Sequence, residues 1–246
     1  FTLINGGGGD DTFTFNTSGA QIAAIIDGGA GTGDVINLNA DTFLSGTGGV
    51  RNVETINGSA GADTIELLGT TATTVTGNAG ADSLIDSTTG IANTFRYTAA
   101  NDGAPAGGNS GFDTITGFAT GSDTFGISGT LETLLDDITV DGSINFGTSA
   151  IDITGTHEGI LLTGLADADL VAAGFANLLS TLNGILSTAG AGTDALIVAQ
   201  GANDTGFYLY QEAGGDDTAA TSELTLLAIA VNEIVASTDV AITGGV

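Results

Sequence analysis

The feature that most limits what this chain can fold into is a glycine-rich turn closed by an aspartate, repeated along its first half. Gly6-Gly7-Gly8-Gly9-Asp10-Asp11-Thr12-Phe13 fits the nine-residue pattern G-G-x-G-x-D-x-U-x, where U is a large apolar residue. Variants recur as Gly58-Ser59-Ala60-Gly61-Ala62-Asp63-Thr64-Ile65, Gly77-Asn78-Ala79-Gly80-Ala81-Asp82-Ser83-Leu84 and Gly108-Asn109-Ser110-Gly111-Phe112-Asp113-Thr114-Ile115. A further copy, Gly28-Gly29-Ala30-Gly31-Thr32-Gly33-Asp34-Val35-Ile36, carries one extra residue before its aspartate. In every copy an apolar residue stands two places after the aspartate: Phe13, Ile36, Ile65, Leu84 and Ile115. One turn and one short strand cannot bury such a side chain alone, but a stack of them can. The pattern therefore predicts a parallel β-roll, a ribbon of coils around a thin apolar core.

The same turns suit a hard cation. Ca²⁺ takes six to eight oxygen ligands and tolerates irregular geometry. Glycine accepts positive φ at little steric cost, so the turn can direct backbone carbonyls inward. The aspartate adds a charged oxygen, and a neighbouring coil must complete the shell. Gly77 follows Gly58 by 19 residues, about two nine-residue units, so one turn in two is decorated. The stretch Leu67-Leu68-Gly69-Thr70-Thr71-Ala72-Thr73-Thr74 reads as an undecorated turn, which places the ions mainly on one edge of the roll. Longer intervals elsewhere read as loops, such as Tyr97 to Gly107, which holds the only proline. Gly117-Phe118-Ala119-Thr120-Gly121-Ser122-Asp123-Thr124-Phe125 reads as a closing coil, with Asp123 a candidate last ligand.

Charge sharpens this. The chain has 29 acidic residues against two arginines and no lysine, a formal net charge of −27. Nucleic acid and anionic membrane surfaces repel such a chain. Two bare carboxylates ~4 Å apart repel by roughly 4 kcal/mol at an effective dielectric near 20. Stacked aspartates oppose folding, and a divalent cation reverses the sign. The chain is expected to be disordered at the low calcium of a cytoplasm and folded outside the cell. Acidity and motif are nonetheless separate signals: residues 129–246 carry 11 Asp, 5 Glu and no base, yet no clear nonapeptide turn. With no cysteine, disulfides are excluded, and calcium is the available staple. No run of 18 apolar residues predicts a membrane span. No secretory leader is visible, and a first residue Phe1 fits the C-terminal part of something longer.

Two domains are expected: a roll over residues 1–128 and a β-rich domain over 129–246. In the second, Ser143–Phe146, Ala150–Ile153, Gly159–Leu162, Ala195–Ala199, Phe207–Gln211 and Glu223–Ile229 read as strands, with a hairpin loop at Ala213–Thr221. Leu170, Val171, Phe175, Leu178, Leu179, Leu182, Ile185 and Leu186 recur at helical spacing, predicting a core-packed helix over 168–186 with Asp167 as N-cap. Asp216 and Asp217 read as an exposed acidic turn. No enzyme is expected. His157 is the only histidine, and Leu161 stands where a zinc-protease pattern needs a second one. There is no G-x-S-x-G elbow, no cysteine nucleophile and no P-loop lysine.

The repeats resemble the RTX family of secreted calcium-binding proteins of Gram-negative bacteria, over roughly residues 1–125. Arg51-Asn52-Val53-Glu54-Thr55-Ile56-Asn57-Gly58 and Asp113-Thr114-Ile115-Thr116-Gly117-Phe118 are similar to segments common in that family. The resemblance implies several Ca²⁺ ions on Asp11, Asp34, Asp63, Asp82 and Asp113. Turn oxygens would come from Gly7, Gly9, Gly29, Gly31, Ser59, Gly61, Asn78, Gly80, Asn109 and Gly111. It also implies export through a type I channel under an uncleaved C-terminal signal. The Ala/Thr/Gly-rich, cysteine-free composition looks most like the family's surface-layer proteins. Expected from that likeness is a structural protein that self-assembles into a lattice or filament at the cell surface, with a surface glycan as a possible anchor. The alternative is a calcium-folded secretion module of a larger adhesin, toxin or hydrolase.

Overall fold

The computed structural model describes residues 2–46, 48–105, 110–135, 146–148, 151–152, 159–171, 175–188, 193–213 and 218–243. The chain runs through β1 (Thr2–Gly8), β2 (Thr12–Phe15), β3 (Ala20–Gln21), β4 (Ala24–Ala30), β5 (Val35–Leu38), β6 (Thr42–Leu44), β7 (Gly49–Arg51) and β8 (Thr55–Asn57). It continues through β9 (Thr64–Leu67), β10 (Thr74–Thr76), β11 (Ser83–Asp86), β12 (Thr94–Tyr97), β13 (Ala104–Pro105), β14 (Asp113–Thr116) and β15 (Thr124–Ile127). Successive strands alternate between two facing sheets, so that one pass through both makes a rung. One sheet carries β1, β4, β7, β9, β11 and β14 in order, and the other β2, β5, β8, β10, β12 and β15. The short strands β3 and β6 pair with each other at the side of the first sheet. The protein is mainly β, with a parallel roll, as the nonapeptide pattern predicts.

Alternation of side chains drives this winding. In β5, β9, β11 and β12 every second residue is buried, the period of a strand with one wet face. The motif's apolar residues lie in register. Phe13, Ile36, Ile56, Val75, Phe95 and Phe125 form one column. Leu44, Ile65, Leu84 and Ile115 form the column facing it. Each fully buried aliphatic side chain contributes about 1.5–3 kcal/mol. A slip of one residue would turn a whole column outward.

The second half adds to the roll's sheets, apart from one two-stranded sheet formed within it. After α1 (Gly129–Leu135) come β16 (Phe146–Gly147), β17 (Ile151–Asp152), β18 (Gly159–Leu162), α2 (Phe175–Ile185), β19 (Leu186–Thr188), β20 (Asp194–Gln200), β21 (Thr205–Gln211), β22 (Leu224–Val231) and β23 (Val240–Ile242). β22 adds in parallel to β14, and β23 adds in parallel to β15, so both roll sheets run across the boundary expected at 128. β20, β21 and β22 form an antiparallel meander in the first sheet, with β18 and β16 beyond β20. Leu196, Val198, Phe207, Leu209 and Leu227 from its inner face join the roll core together with Leu131 and Leu135 of α1. The Phe125 ring lies between Tyr97 at 4.7 Å and Phe207 at 3.8 Å between centroids, both stacked. On the outer face, Phe175, Leu178 and Leu182 of α2 cover Tyr208, Tyr210 and Leu226.

Three expectations are corrected here. The helix is shorter than 168–186, because the path from Asp167 to Leu170 is a short 3-10 turn that ends in extended backbone at Val171 (φ −128°). Asp167 therefore caps no long helix. Its carboxylate accepts the N–H groups of Asn203 and Asp204 at 2.7 and 3.0 Å and pins the β20–β21 loop. The helix in the 129–246 half is joined by a second, α1, which the sequence pattern does not flag. Strands Gly159–Leu162, Ala195–Ala199 and Phe207–Gln211 fall within β18, β20 and β21, and Glu223–Ile229 overlaps β22. Of Ser143–Phe146 and Ala150–Ile153, only Phe146 and Ile151–Asp152 are described; His157, Asp216 and Asp217 lie outside the described residues.

A shared core predicts a shared transition. In urea, the signal from the roll's Tyr97 and that from Tyr208 and Tyr210 should change together. Phe125→Ala should lower the stability of both by about 3–5 kcal/mol. Two separate transitions, with Phe125→Ala moving only one, would contradict the continuous sheet.

Candidate metal centre

The roll has two edges, and the aspartate turns are divided between them. On the first edge the chain passes from the first sheet to the second. Asp11, Asp34, Glu54, Thr73, Asn93 and Asp123 precede β2, β5, β8, β10, β12 and β15 there, and they share one register position. On the second edge Thr42, Asp63, Asp82 and Asp113 hold the matching position at the start of β6, just before β9 and β11, and at the start of β14. The expectation of decoration mainly on one edge is therefore replaced by two columns. The reason lies in the interval from Gly28 to Gly58: it contains β5, the β6–β7 pair and β8, an odd number of passes between sheets, so the motif changes sides. The turn over Leu67–Thr74 does lack a carboxylate, and Thr73 fills its place in the first column.

Within each column the residues form a ladder. On the first edge the Asp11 N–H donates to Asp34 Oδ1 at 2.7 Å and the Asp34 N–H to Glu54 Oε2 at 2.7 Å. Further on, the Thr73 N–H donates to Asn93 Oδ1 and the Asn93 N–H to Asp123 Oδ1, both at 2.9 Å. On the second edge Thr42, Asp63 and Asp82 donate to Asp63, Asp82 and Asp113 at 2.6, 2.8 and 2.8 Å. Each donor N–H belongs to one rung and each acceptor to the next rung toward the C-terminus. Charge-assisted bonds of this kind are stronger than neutral ones.

The second oxygen of each carboxylate separates the sites. Asp63 Oδ2 accepts the Ser59 N–H at 2.7 Å, and Asp123 Oδ2 the Ala119 N–H at 2.7 Å. Asp113 Oδ2 accepts the Tyr97 hydroxyl at 2.8 Å. Asp11 Oδ2, Asp34 Oδ2 and Asp82 Oδ2 are buried with no hydrogen-bond partner. Each points at the glycine that opens its own turn, where oxygens of an adjoining rung converge. A Cβ on Gly6 would stand 2.4 Å from Asp11 Oδ2 and 2.6 Å from the Gly28 carbonyl. One on Gly28 would stand 2.5 Å from Asp34 Oδ2 and 1.9 Å from the Asn52 carbonyl. One on Gly77 would stand 2.2 Å from Asp82 Oδ2 and 3.2 Å from Asp113 Oδ2.

The remaining motif residues shape these turns. Gly7, Gly9, Gly29, Gly80 and Gly111 have positive φ, and Asn78 does so at 64° while its Nδ2 donates to the Gly58 carbonyl at 2.6 Å. Asn78 thus ties two rungs through its amide. Gly31 lies against the Gly9 carbonyl and Gly61 against the Asp41 carboxylate. Asn109 lies outside the described residues. Glu54, Asn93, Thr73, Asp41 and Tyr97 belong to the edges although the motif does not mark them. Counting back one residue from each threonine-led strand would have found Glu54, Thr73 and Asn93. Asp27 is buried but neutralised: Arg51 Nε and Nη2 reach it at 2.9 Å, and Asn52 Nδ2 at 2.8 Å.

Among the described residues, no three acidic or histidine side chains converge on one point. A cation here would draw its remaining oxygens from backbone carbonyls, which is the donor set Ca²⁺ accepts. The residues present fit calcium best at the turns of Asp11, Asp34 and Asp82. No protein-family model matches the chain, and no curated protein matches it.

Burial sets the titration of the second column. It pushes Asp82 up to about 9, helped by the charge of Asp113. It pushes Asp113 up to about 8 against the bonds from the Asp82 N–H and the Tyr97 hydroxyl. Asp63 is raised by burial, and on the first edge Asp123 is raised by burial to about 6. A folded-state value above the ordinary 3.8 means that the folded chain holds protons the unfolded chain releases. In chelator, the contribution of these groups is complete below about pH 4 and is lost as pH rises through about 6 for Asp123 and about 8 to 9 for Asp113 and Asp82. Thermal melts in chelator should show a midpoint falling between about pH 5 and pH 9. Asp82→Asn, neutral throughout, should flatten that fall. An equal slope in parent and variant would remove the buried carboxylate from the account.

Proposed function

We propose that this chain is a calcium-ordered β-roll of a secreted structural protein that self-assembles at the cell surface. The observation that carries the reading is the set of three buried, unpartnered carboxylate oxygens on Asp11, Asp34 and Asp82. They sit in glycine turns beside the Gly28 and Asn52 carbonyls at Asp11 and Asp34 and beside the Asp113 carboxylate at Asp82. A chain with two arginines and no lysine has almost no cation of its own to offer them, and Arg51 is committed to Asp27. Calcium, when bound, supplies the positive charge that these oxygens lack. The ladder bonds hold Asp34 and Asp82 by one oxygen and leave the other directed at the turn. The glycines admit the approach of two rungs, and the apolar columns exclude water behind them.

Support for a structural role comes from the chemistry the roll carries. Its repeated features are turns, ladders and a core. The sequence holds one histidine and no cysteine or lysine from which to build a nucleophile or base pair. Among the described residues no helix is long and apolar enough to cross a membrane. Assembly, a glycan anchor and an extracellular site are parts of the same proposal.

Calcium should raise the melting temperature and sharpen the strand signal in circular dichroism. A site filled at a hundred times its dissociation constant adds about 2.7 kcal/mol. Asp34→Asn and Asp82→Asn should each reduce that response. Terbium in place of calcium should emit on tyrosine excitation through Tyr97, whose hydroxyl is bonded to Asp113. Tyr97→Phe should dim that emission selectively. Electron microscopy should show sheets or filaments with calcium and dispersed particles in chelator. A chain equally folded in excess chelator, without terbium emission, would refute the calcium reading. Folded but dispersed particles at saturating calcium would refute the assembly reading alone.

A further inference from the structure

The outer face of the second sheet differs in charge from the rest of the molecule. Its strands β2, β5, β8, β10, β12, β15 and β23 pair in parallel throughout, with no register shift. Between the buried columns, side chains stand outward in two rows. Thr12, Val35, Thr55, Thr74, Thr94 and Thr124 form the row nearer the first edge. Thr14, Asn37, Asn57, Thr76 and Arg96 form the row nearer the second edge. None of these seven strands contains an acidic residue, in a chain with 29 of them. In the first sheet, by contrast, β4, β9, β11 and β14 carry Asp27, Glu66, Asp86 and Asp113.

The face is also ordered in advance. Asn57 Nδ2 donates to Asn37 Oδ1 and Arg96 Nε to Thr76 Oγ1, each at 2.9 Å and each to the rung before. Side chains already held in place lose less freedom on contact. Arg96 is one of two arginines in a chain without lysine. The other, Arg51, is paired with Asp27, and among the described residues no carboxylate lies within ion-pair distance of Arg96. Its complement stands on the first edge, where Glu54 is half-buried. Chains of net charge −27 repel one another, so close approach favours the surface with the least negative charge.

We infer that the outer face of the second sheet is a contact between copies of this chain, two rolls packing back to back about a two-fold axis parallel to the roll. The inference rests on the assembly reading and names the surface that serves it. In such an isologous contact the side of the face nearer the second edge in one copy covers the side nearer the first edge in the other. The threonine row meets the row of Asn37, Asn57 and Arg96, and Arg96 of each copy lies toward the first-edge carboxylates of its partner. Hydroxyls and amides both donate and accept, so groups leaving water find partners across the contact. Strands about 4.8 Å apart make the face roughly 29 Å long, and three or four residues per strand make it about 10–13 Å wide. That is under half of the ~800 Å² per partner of a standard stable pair. The contact is therefore weak singly and holds where other contacts of the assembly keep the two copies together.

The test uses the whole chain in calcium-containing buffer, read by electron microscopy and sedimentation velocity. Asn57→Asp and Arg96→Glu put acids on the face. Each should raise the concentration needed for assembly at least about tenfold, as like charges juxtaposed in a contact do, with melting temperature close to the parent's. Thr116→Asp, at an exposed position on the outer face of the first sheet, adds an acid elsewhere and should assemble like the parent. Because the chain has no cysteine, a short thiol-specific cross-linker should join Thr74→Cys chains within the assembly and leave Thr116→Cys chains single. If Arg96→Glu fails to fold, Asn57→Asp and the cross-link carry the comparison. Assembly of Asn57→Asp at the parent's concentration, equal loss in Thr116→Asp, or cross-linking through Thr116 rather than Thr74 would overturn the inference and leave the assembly reading standing. A parent chain dispersed at saturating calcium would overturn both.

Discussion

One recurring interaction organises this protein: at the roll's edges a backbone N–H donates to a side-chain oxygen one rung further along. It recurs on both edges, from Asp11 to Asp34 and Glu54, and from Asp63 to Asp82 and Asp113. The bond answers a problem inherent to a roll. Where the chain leaves one sheet for the other, its amide groups have no strand to pair with, and a buried unpaired amide costs about 1–3 kcal/mol. A carboxylate stacked above meets that need, but it brings charge into a dry edge. The glycine turns, the unsatisfied Oδ2 atoms and the elevated proton affinities of Asp82 and Asp113 all follow from that exchange.

Positions without a carboxylate make the same point. Thr73 and Asn93 continue the first column with neutral groups, and the Asn93 amide also donates to Asp86 at 2.8 Å. The ladder can therefore be kept up without charge. Where aspartate stands with a free buried oxygen, stability alone does not require it. The contrast between Asn93 and Asp34, alike in register and different in charge, separates rungs that close the ladder with a neutral group from rungs that leave a buried carboxylate oxygen without a partner.

Much of the roll was legible in the sequence, because its period is written twice, in the apolar residue after each aspartate and in the glycines before it. Which edge each turn occupies was not read, because the motif is local while the edge depends on how many strands intervene. Glu54 escaped for a related reason: its turn lacks the glycine pattern and shows its kinship only through register with Asp34. In the second half the strands at Gly159–Leu162 and Phe207–Gln211 were legible from apolar runs. That β22 and β23 return to complete the roll was not, since parallel pairing of β22 to β14 leaves no short-range mark. A helix over 168–186 is too long because Leu170 and Val171 keep a helical spacing while Leu170 ends a 3-10 turn and Val171 is extended.

The equivalence of the rungs has a consequence for how such a chain can change over generations. A coil presents to its successor the same surface that its predecessor presented to it. Gain or loss of an entire coil therefore leaves every remaining junction intact, whereas a single residue inserted within a strand exchanges inside for outside from that point on. The extra residue of the Gly28–Asp34 turn marks the tolerant place: it lengthens the bend, and Val35 still lies opposite Thr12. Lineages of this architecture should drift in length by whole windings and at their bends, while the strands between stay fixed in size.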